Sequence, residues 1–409
     1  MLSDLEREVL ARINPDEVIE RTRELVRIPS VYRPEKGETE EKAALWVKAL
    51  LEDLGLEVHY YDVEPGRPNV IGLYRVKEGQ KCLMFEGHTD VVTEGDISKW
   101  KYDPFGGEIV DGRLYGRGSA DMKGGLVAAI MATKAIVESG VELGGGILIG
   151  ALADEEGMMI GAKDFARSPW AKVVTSAIIC EPEDNRICIA QKGVMWAKIR
   201  TIGKMAHGCM PFTGINPITH MATLISALKE LEKAEIKRWG SHPFLGLPSI
   251  TPTAIRAPVE GQGEEQANVI PAQCRVTLDI RLIPGQTPEK IQEEIQALFE
   301  RLKADDETFK AEFEVLESRP PTATSKDEPI VQVLSQAYRD LTGKEPVYGG
   351  VPGTTDGTIL HTWANIPIVT CGPGDTHIPH QADEYLDLDQ LIEATKLYAL
   401  AALRYLGVK

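Results

Sequence analysis

Residues 82–90, CLMFEGHTD, are an apolar run that ends in polar residues, among them His88 and Asp90. A short, nearly continuous apolar run is typical of a strand that is covered on both faces of a parallel sheet. Two further runs have the same form, at 146–153 and at 173–180, and acidic residues follow each of them directly. Because these runs alternate with helical patterns, the sequence predicts an α/β fold.

The pattern changes after residue 190, where the strand-like segments become alternating and half-buried. The strand-like and helix-like segments of residues 191–317 resemble a small α+β layer inserted in the main sheet. An Arg-Pro-Pro sequence at 319–321 marks the return to the first pattern. The sequence therefore predicts a split first domain of residues 1–190 and 318–409, with an inserted domain of residues 191–317.

Composition excludes several classes of protein. The chain has 409 residues, of which 43% are hydrophobic, and a formal net charge of −17. So acidic a surface repels phosphate backbones, which argues against nucleic-acid binding. No apolar run approaches the roughly 18 residues that a membrane span needs. A charged N-terminal segment and six scattered cysteines lead us to expect a cytoplasmic protein whose thiols are reduced.

The histidine and acidic residues collect where the predicted strands end. In open α/β sheets, ligands bind outside the carboxyl ends of the strands, so that residues which follow different strands meet there. We therefore expect one site. Its members are His88, Asp90, Asp121, Glu155, Glu156, Glu181 and His380.

Three carboxylates in one cleft predict a metal site, because like charges raise one another's pKa unless cations neutralise them. We assign Asp121, Glu156 and Glu181 as these carboxylates. Together with two imidazoles they suit Zn²⁺ or Co²⁺. Asp121 has an oxygen for each of two ions and is expected to bridge them. Glu155 is then free to move the proton of a metal-activated water, and Asp90 is close enough to orient His88.

The motifs together resemble one family, the dinuclear zinc hydrolases that include acetylornithine deacetylase, succinyl-diaminopimelate desuccinylase, aminoacylase and glutamate carboxypeptidase. The resemblance extends over almost the whole chain in the same order. The motifs are GHTDVV at 87–92, GRGSADMKGG at 116–125, DEEG at 154–157, EP at 181–182, GKMAHG at 203–208, NVIP at 268–271, DIR at 279–281, GTTDG at 353–357 and HQADEY at 380–385.

The resemblance implies a zinc-peptidase-like catalytic domain with an inserted ferredoxin-like domain that forms a homodimer. It implies that His88 and either Glu156 or Glu181 serve the two ions, and that His380 completes the second one. It makes Glu155 the general base. It also implies a cis peptide after the bridging aspartate. From the inserted domain, His207 would reach the partner's active site and stabilise the oxyanion, and the expected substrate contacts are Asn268, Arg281, Gly353 and Thr354.

The reaction that these residues predict is metal-dependent hydrolysis of an amide bond in a small N-acyl amino acid or related acyl-amine. A dipeptidase or carboxypeptidase could use the same centre. A formylamino or carbamoyl hydrolase and a non-catalytic binding protein on the same fold are further alternatives. Two residues also have alternatives: His377 competes with His380 as a ligand, and Arg281 could instead form a structural ion pair.

Overall fold

The computed structural model describes residues 2–261 and 263–409 and confirms the α/β fold. The chain forms two compact units. The first unit contains the described residues up to Ile189 together with Thr324–Val351 and Thr355–Lys409. The second unit contains the described residues of Ala190–Ala323 and of Pro352–Thr354. The sequence did not predict that residues 352–354 belong to the second unit.

The elements are numbered in chain order. The strands are β1 (Glu57–Glu64), β2 (Arg67–Tyr74), β3 (Cys82–His88), β4 (Glu108–Val110), β5 (Arg113–Tyr115), β6 (Gly146–Leu152), β7 (Ser176–Ile179), β8 (Ile187–Gln191), β9 (Gly193–Ile202), β10 (Ala206–His207), β11 (Ser249–Arg256), β12 (Val269–Ile270), β13 (Gln273–Leu282), β14 (Ala311–Arg319), β15 (Thr322–Ala323), β16 (Tyr348–Val351), β17 (Ile368–Thr370) and β18 (Tyr385–Asp387). The helices are α1 (Asp4–Ala11), α2 (Pro15–Val26), α3 (Glu41–Asp53), α4 (Gly124–Ser139), α5 (Ile160–Phe165), α6 (Pro217–Trp239), α7 (Pro288–Asp305), α8 (Pro329–Thr342), α9 (Asp356–Ala364) and α10 (Leu388–Leu406).

The large sheet of the first unit has the strand order β1-β2-β6-β3-β7-β17-β8. Its centre is parallel, because β3 pairs in parallel with both β6 and β7, and β17 pairs in parallel with β7. Every residue of β3, β6 and β7 is buried, as expected for strands that are covered on both faces. The carboxyl ends of these strands therefore meet at one edge of the sheet.

The second unit contains a four-stranded antiparallel sheet in the order β11-β13-β9-β14. Residues of α6 and α7 share one apolar core with the inward face of β13, whose residues alternate between buried and half-buried. The sequence predicts one strand over 269–282, whereas the structure has two, β12 and β13. They are separated at Pro271, which has no backbone N–H to donate to a ladder.

The sequence predicts a helix after an N-cap at Asn14 and another at about 388–406, and α2 and α10 confirm both. The helix predicted over 216–231 continues in α6 to Trp239. No prediction covered the short helices α1, α5 and α9, although Ser3 and Glu6 form a capping box at the start of α1, which is a sequence signal for a helix. Among the described residues, no helix combines the length and the apolar composition that crossing a membrane requires. All six cysteines are free thiols, and only Cys209 among them is exposed.

Candidate metal centre

Three parallel strands carry the predicted ligands to one place. β3 ends at His88, which lies opposite Leu152 in the register with β6. Two residues beyond β6 begin the acidic residues of positions 154–156, and Glu181 follows the end of β7 by two positions. Because β6, β3 and β7 are adjacent and parallel, the side chains that follow them converge.

Asp121 reaches the same edge from the turn that precedes α4. The peptide bond between Asp121 and Met122 is cis, which confirms the expectation from the family resemblance. The close approach of α4 to the end of β7 depends on Gly125. A Cβ atom at Gly125 would lie 1.9 Å from the carbonyl oxygen of Cys180, the residue before Glu181. Glycine at this position therefore allows the start of α4 to pack against the strand end that carries Glu181.

The two carboxylate oxygens of Asp121 face two different histidines. Oδ1 lies 3.1 Å from Nε2 of His88, and Oδ2 lies 3.3 Å from Nε2 of His380. Nε2 of His88 also lies 3.7 Å from Oε1 of Glu181, and Nε2 of His380 lies 3.0 Å from Oε1 of Glu156. The side chains thus form two donor sets that share Asp121. By these distances Glu181 lies beside His88 and Glu156 beside His380, and an oxygen of Glu156 is also within 4.8 Å of the ligand atom of His88.

His377, the alternative to His380, does not belong to this cluster. It is exposed, and its backbone N–H donates to Oδ1 of Asp375 at 2.8 Å. His380 adopts a positive φ of 67°. Its imidazole points at two carboxylates, and their hydrogen bonds raise its pKa to about 10.

The carboxylates of the cluster are buried close together and repel one another, which shifts their pKa values. Burial raises the pKa of Glu156 and of Glu181, and the charge of Asp121 raises both further. Burial also acts to raise the pKa of Asp121, but hydrogen bonds from His380 and His88 hold it well below its usual value. Divalent cations relieve such repulsion directly.

Glu155 lies beside the ligands and is buried, with 9% of its surface exposed. One of its carboxylate oxygens is within 4.8 Å of the ligand atoms of His88 and Glu181. Its pKa is raised well above the ordinary value by burial; His88 opposes this shift, and the charge of Glu156 adds to it. A carboxylate in this setting is suited to accept and return a proton.

Asp90 contacts both sides of the cluster, although not in the way that the sequence predicts. His88 Nδ1 lies 2.9 Å from the backbone carbonyl oxygen of Asp90 and 3.6 Å from its carboxylate. The carboxylate instead accepts hydrogen bonds from the backbone N–H groups of Glu155, at 3.1 Å, and Glu156, at 3.2 Å. Asp90 therefore fixes the backbone of the loop that carries Glu155 and Glu156.

The remaining predicted site residues belong to the second unit. His207 and Asn268 are both exposed and adjacent, since the N–H of Gly208 donates to the carbonyl oxygen of Asn268 at 2.7 Å. Arg281 forms a bidentate ion pair with Asp279, through Nε at 2.6 Å and Nη2 at 2.9 Å.

This pair is the structural alternative named for Arg281, and it leaves Nη1 without a hydrogen-bond partner among the described residues. Gly353 and Thr354 are half-buried, and Thr354 accepts a hydrogen bond from Nη1 of Arg319 at 3.3 Å.

Sequence reasoning missed several buried charges around the cluster. Glu384, quoted only as part of HQADEY, is fully buried and contacts the turn of Asp121. Glu86 and Asp356 are also buried, and burial, followed by the charge of Asp356, raises the pKa of Glu86 well above its ordinary value. Glu86 stands inside an apolar run, two residues before His88, which is a sequence signal for a functional or paired charge.

The donor set fits divalent metal ions. It offers two imidazoles and three carboxylates as borderline-hard ligands, and one carboxylate has an oxygen directed toward each imidazole. The ligand atoms of His88, Asp121 and Glu156 all lie within 4.8 Å of one another. An isolated surface cluster of acids would not combine this burial with this convergence.

The chain is similar to known proteins over most of its length. Residues 84–404 match the sequence model of the family described as "Peptidase family M20/M25/M40". The chain belongs to this family. It is 30% identical over 388 residues to the succinyl-diaminopimelate desuccinylase of Rhodospirillum centenum, which covers 92% of this chain and 94% of the relative. It is 29% identical over 381 residues to the N-formyl-4-amino-5-aminomethyl-2-methylpyrimidine deformylase of Bacillus subtilis, with 86% of each chain covered.

A solved structure has the same fold. The M20 family metallo-carboxypeptidase of Sulfolobus solfataricus superimposes with a TM-score of 0.77 at 22% identity, covering 95% of this chain and 99% of that one. Membership of the family makes this chain a metal-dependent hydrolase of amide bonds, which confirms the predicted reaction class.

Proposed function

We propose that this chain hydrolyses the amide bond of a small N-acyl amino acid or related acyl-amine at a centre of two divalent metal ions. The observation that carries the proposal is the division of the two Asp121 oxygens between His88 and His380. His88, Asp121 and Glu181 hold one ion in this proposal. Asp121, Glu156 and His380 hold the other.

Zinc is the ion that we propose, with cobalt as the alternative, because both accept imidazole and carboxylate ligands. When bound, the two ions polarise the amide carbonyl and lower the pKa of a water molecule. Glu155 takes the proton of that water and passes it to the leaving amine. The carboxylate of Asp90 accepts a hydrogen bond from the backbone N–H of Glu155 and so keeps Glu155 in place. The backbone carbonyl oxygen of Asp90 fixes the tautomer of His88.

Residues of the second unit are proposed to bind the substrate. Arg281 has a guanidinium plane that is fixed by Asp279, and its Nη1 remains for a substrate carboxylate. Asn268 and the loop of Gly353 and Thr354 supply further polar contacts. The desuccinylase and the deformylase to which this chain is similar act on different acyl groups, which supports an acyl-amine substrate without choosing its acyl group.

A homodimer is part of the proposal. In it, the exposed His207 of one subunit enters the partner's active site and stabilises the oxyanion. Mixing two inactive variants tests this arrangement. A Glu155→Gln chain that exchanges subunits with a His207→Ala chain should form heterodimers with one intact site, so that activity returns. Mixed dimers that stay inactive, or a monomer by light scattering, would contradict it.

Amine release from a substrate panel tests the proposed reaction. The metal-free protein is reconstituted with Zn²⁺ or Co²⁺ and is given N-acetyl, N-succinyl and N-formyl amino acids and a set of dipeptides. Glu155→Gln should retain its metal and lose activity by about 10²–10⁴-fold, whereas the exposed control Glu142→Gln should match the wild type. Faster turnover of dipeptides would identify a peptidase. Turnover that survives in Glu155→Gln, or silence across the panel with two ions bound, would contradict the proposal.

A further inference from the structure

Glu384 lies between His380 and β18, and its side chain is fully buried. One of its carboxylate oxygens, Oε1, accepts hydrogen bonds from three backbone N–H groups of a single turn. The donors are Gly118 at 3.0 Å, Ala120 at 3.1 Å and Asp121 at 3.1 Å. Successive backbone N–H groups that point inward in this way form an anion-binding concavity, and here the anion is a side chain of the same protein.

The other carboxylate oxygen of Glu384, Oε2, accepts a hydrogen bond from Nη1 of Arg117, which is also buried. The backbone carbonyl oxygen of Glu384 accepts from the N–H of Gly116 at 2.9 Å. The next residue, Tyr385, pairs with Tyr115 in the ladder between β18 and β5. The segment after His380 is therefore joined to the segment before Asp121 by side-chain and backbone contacts together.

An ion pair with Arg117 alone would explain one oxygen of Glu384 and leave the other unexplained. The N–H groups of Gly118 and Ala120 are buried and that of Asp121 is partly buried, and a buried N–H that loses its acceptor destabilises the fold. Their shared acceptor fixes the backbone of Asp121 itself. From that backbone the Asp121 side chain places one oxygen 3.1 Å from His88 and the other 3.3 Å from His380.

We propose that Glu384 is a positioning residue that gives the bridging ligand Asp121 and the ligand His380 a common fixed point. The inference rests on the proposed metal centre. Glu384 lies four residues after His380, and its carboxylate accepts a hydrogen bond from the N–H of Asp121. It therefore sets the separation between these two ligands before an ion binds. A preformed separation removes an ordering cost from metal binding, and partners of this kind are worth about 10–100-fold in metal affinity.

The test is zinc affinity, measured on the folded metal-free protein by competition with a chromophoric chelator. Glu384→Gln keeps one oxygen and places an amide N–H₂ either toward Arg117 or toward the three N–H donors, so one set of contacts is lost in either orientation. We expect Glu384→Gln to bind the ion that His380, Glu156 and Asp121 are proposed to hold about 10–100-fold more weakly than the wild type. Its circular dichroism should stay native. Arg117→Gln leaves the three amide contacts in place and should lose less affinity than Glu384→Gln.

A matched control separates positioning from general loss of stability. Glu6 forms a half-buried ion pair with Arg404, at 2.6 Å between Oε1 and Nε, and neither residue is close in sequence to the proposed ligands. Glu6→Gln should lower the unfolding midpoint and leave zinc affinity unchanged.

Wild-type zinc affinity in Glu384→Gln, or an equal loss of affinity in Glu6→Gln, would overturn this inference alone. A wild-type chain that binds no zinc would overturn the proposed function and the inference together. Should Glu384→Ala fail to fold, the Gln variants still decide the matter.

Discussion

The contacts of Asp90 lead to a prediction that separates two roles for this residue. Its carboxylate accepts the N–H groups of Glu155 and Glu156, whereas only its backbone carbonyl meets His88 within hydrogen-bond distance. Replacing the side chain therefore leaves the histidine contact in place and removes support from the loop that carries the base.

The size of the effect follows from the number of acceptors lost. Asp90→Ala leaves the buried N–H of Glu155 and the part-buried N–H of Glu156 without an acceptor, so the free energy of unfolding should fall by about 1–3 kcal/mol for the first donor and by less for the second. Asp90→Asn keeps one oxygen and should lose about half of that. Loss of such a partner costs about 10–100-fold in activity, and we expect Asp90→Asn near the lower figure and Asp90→Ala near the upper one.

The assay combines kcat/KM at saturating metal with urea unfolding of the same samples. Asp96 supplies the control, because its carboxylate accepts the N–H of Ser98 at 3.0 Å in an exposed turn. Asp96→Ala should change activity by less than twofold, since water replaces an exposed acceptor. Equal damage in Asp90→Asn and Asp90→Ala would refute the reasoning, because it would assign the effect to the charge beside His88 and not to the two amides.

Three further predictions concern packing, pH and the bridging ligand. Gly125→Ala should destabilise the protein by about 1–3 kcal/mol or prevent folding, because the added methyl group would lie 1.9 Å from a backbone oxygen. Gly353→Ala is the control, since no atom lies within 4 Å of the added Cβ, and urea unfolding of the two variants compares their stabilities. Burial raises the pKa of Glu40 from 4.5 to about 7, so the folded state holds its proton more tightly and stability falls as pH rises between these values. The free energy of unfolding of Glu40→Gln, relative to that of the wild type, should therefore rise by about 3 kcal/mol between pH 4 and pH 8. Urea midpoints of the two proteins that change with pH by the same amount would contradict this. Asp121→Asn should bind at most one zinc ion per chain by elemental analysis, and two tightly bound ions would show that Asp121 is not the bridge.

The sequence was sufficient to predict the central strands and the convergence of the histidine and acidic residues that follow them. Runs such as 82–88 and 146–152 are buried on both faces, so their composition alone identifies them. The carboxylates that follow these strands converge because parallel strands end at one edge. The assignment of Glu181 to the side of His88 needed coordinates, since it depends on which oxygen of Asp121 faces which imidazole.

Other features were out of reach because their partners are far apart in the chain. Glu384 and Asp121 are 263 positions apart in the chain. Nothing in the sequence around Glu384 indicates that its carboxylate accepts hydrogen bonds from the turn of Asp121. The pair of Arg281 and Asp279 is different. These residues are two apart on one strand and so share a face, although the sequence analysis left the partner of Arg281 unnamed.

The proposed bridging of two metal ions by Asp121 can be tested by anomalous diffraction at the zinc absorption edge, with crystals of the reconstituted protein. We predict two zinc peaks per chain, one in contact with His88, Glu181 and Oδ1 of Asp121, and one in contact with His380, Glu156 and Oδ2. A single peak, or two peaks of which one lies away from Asp121, would contradict the account.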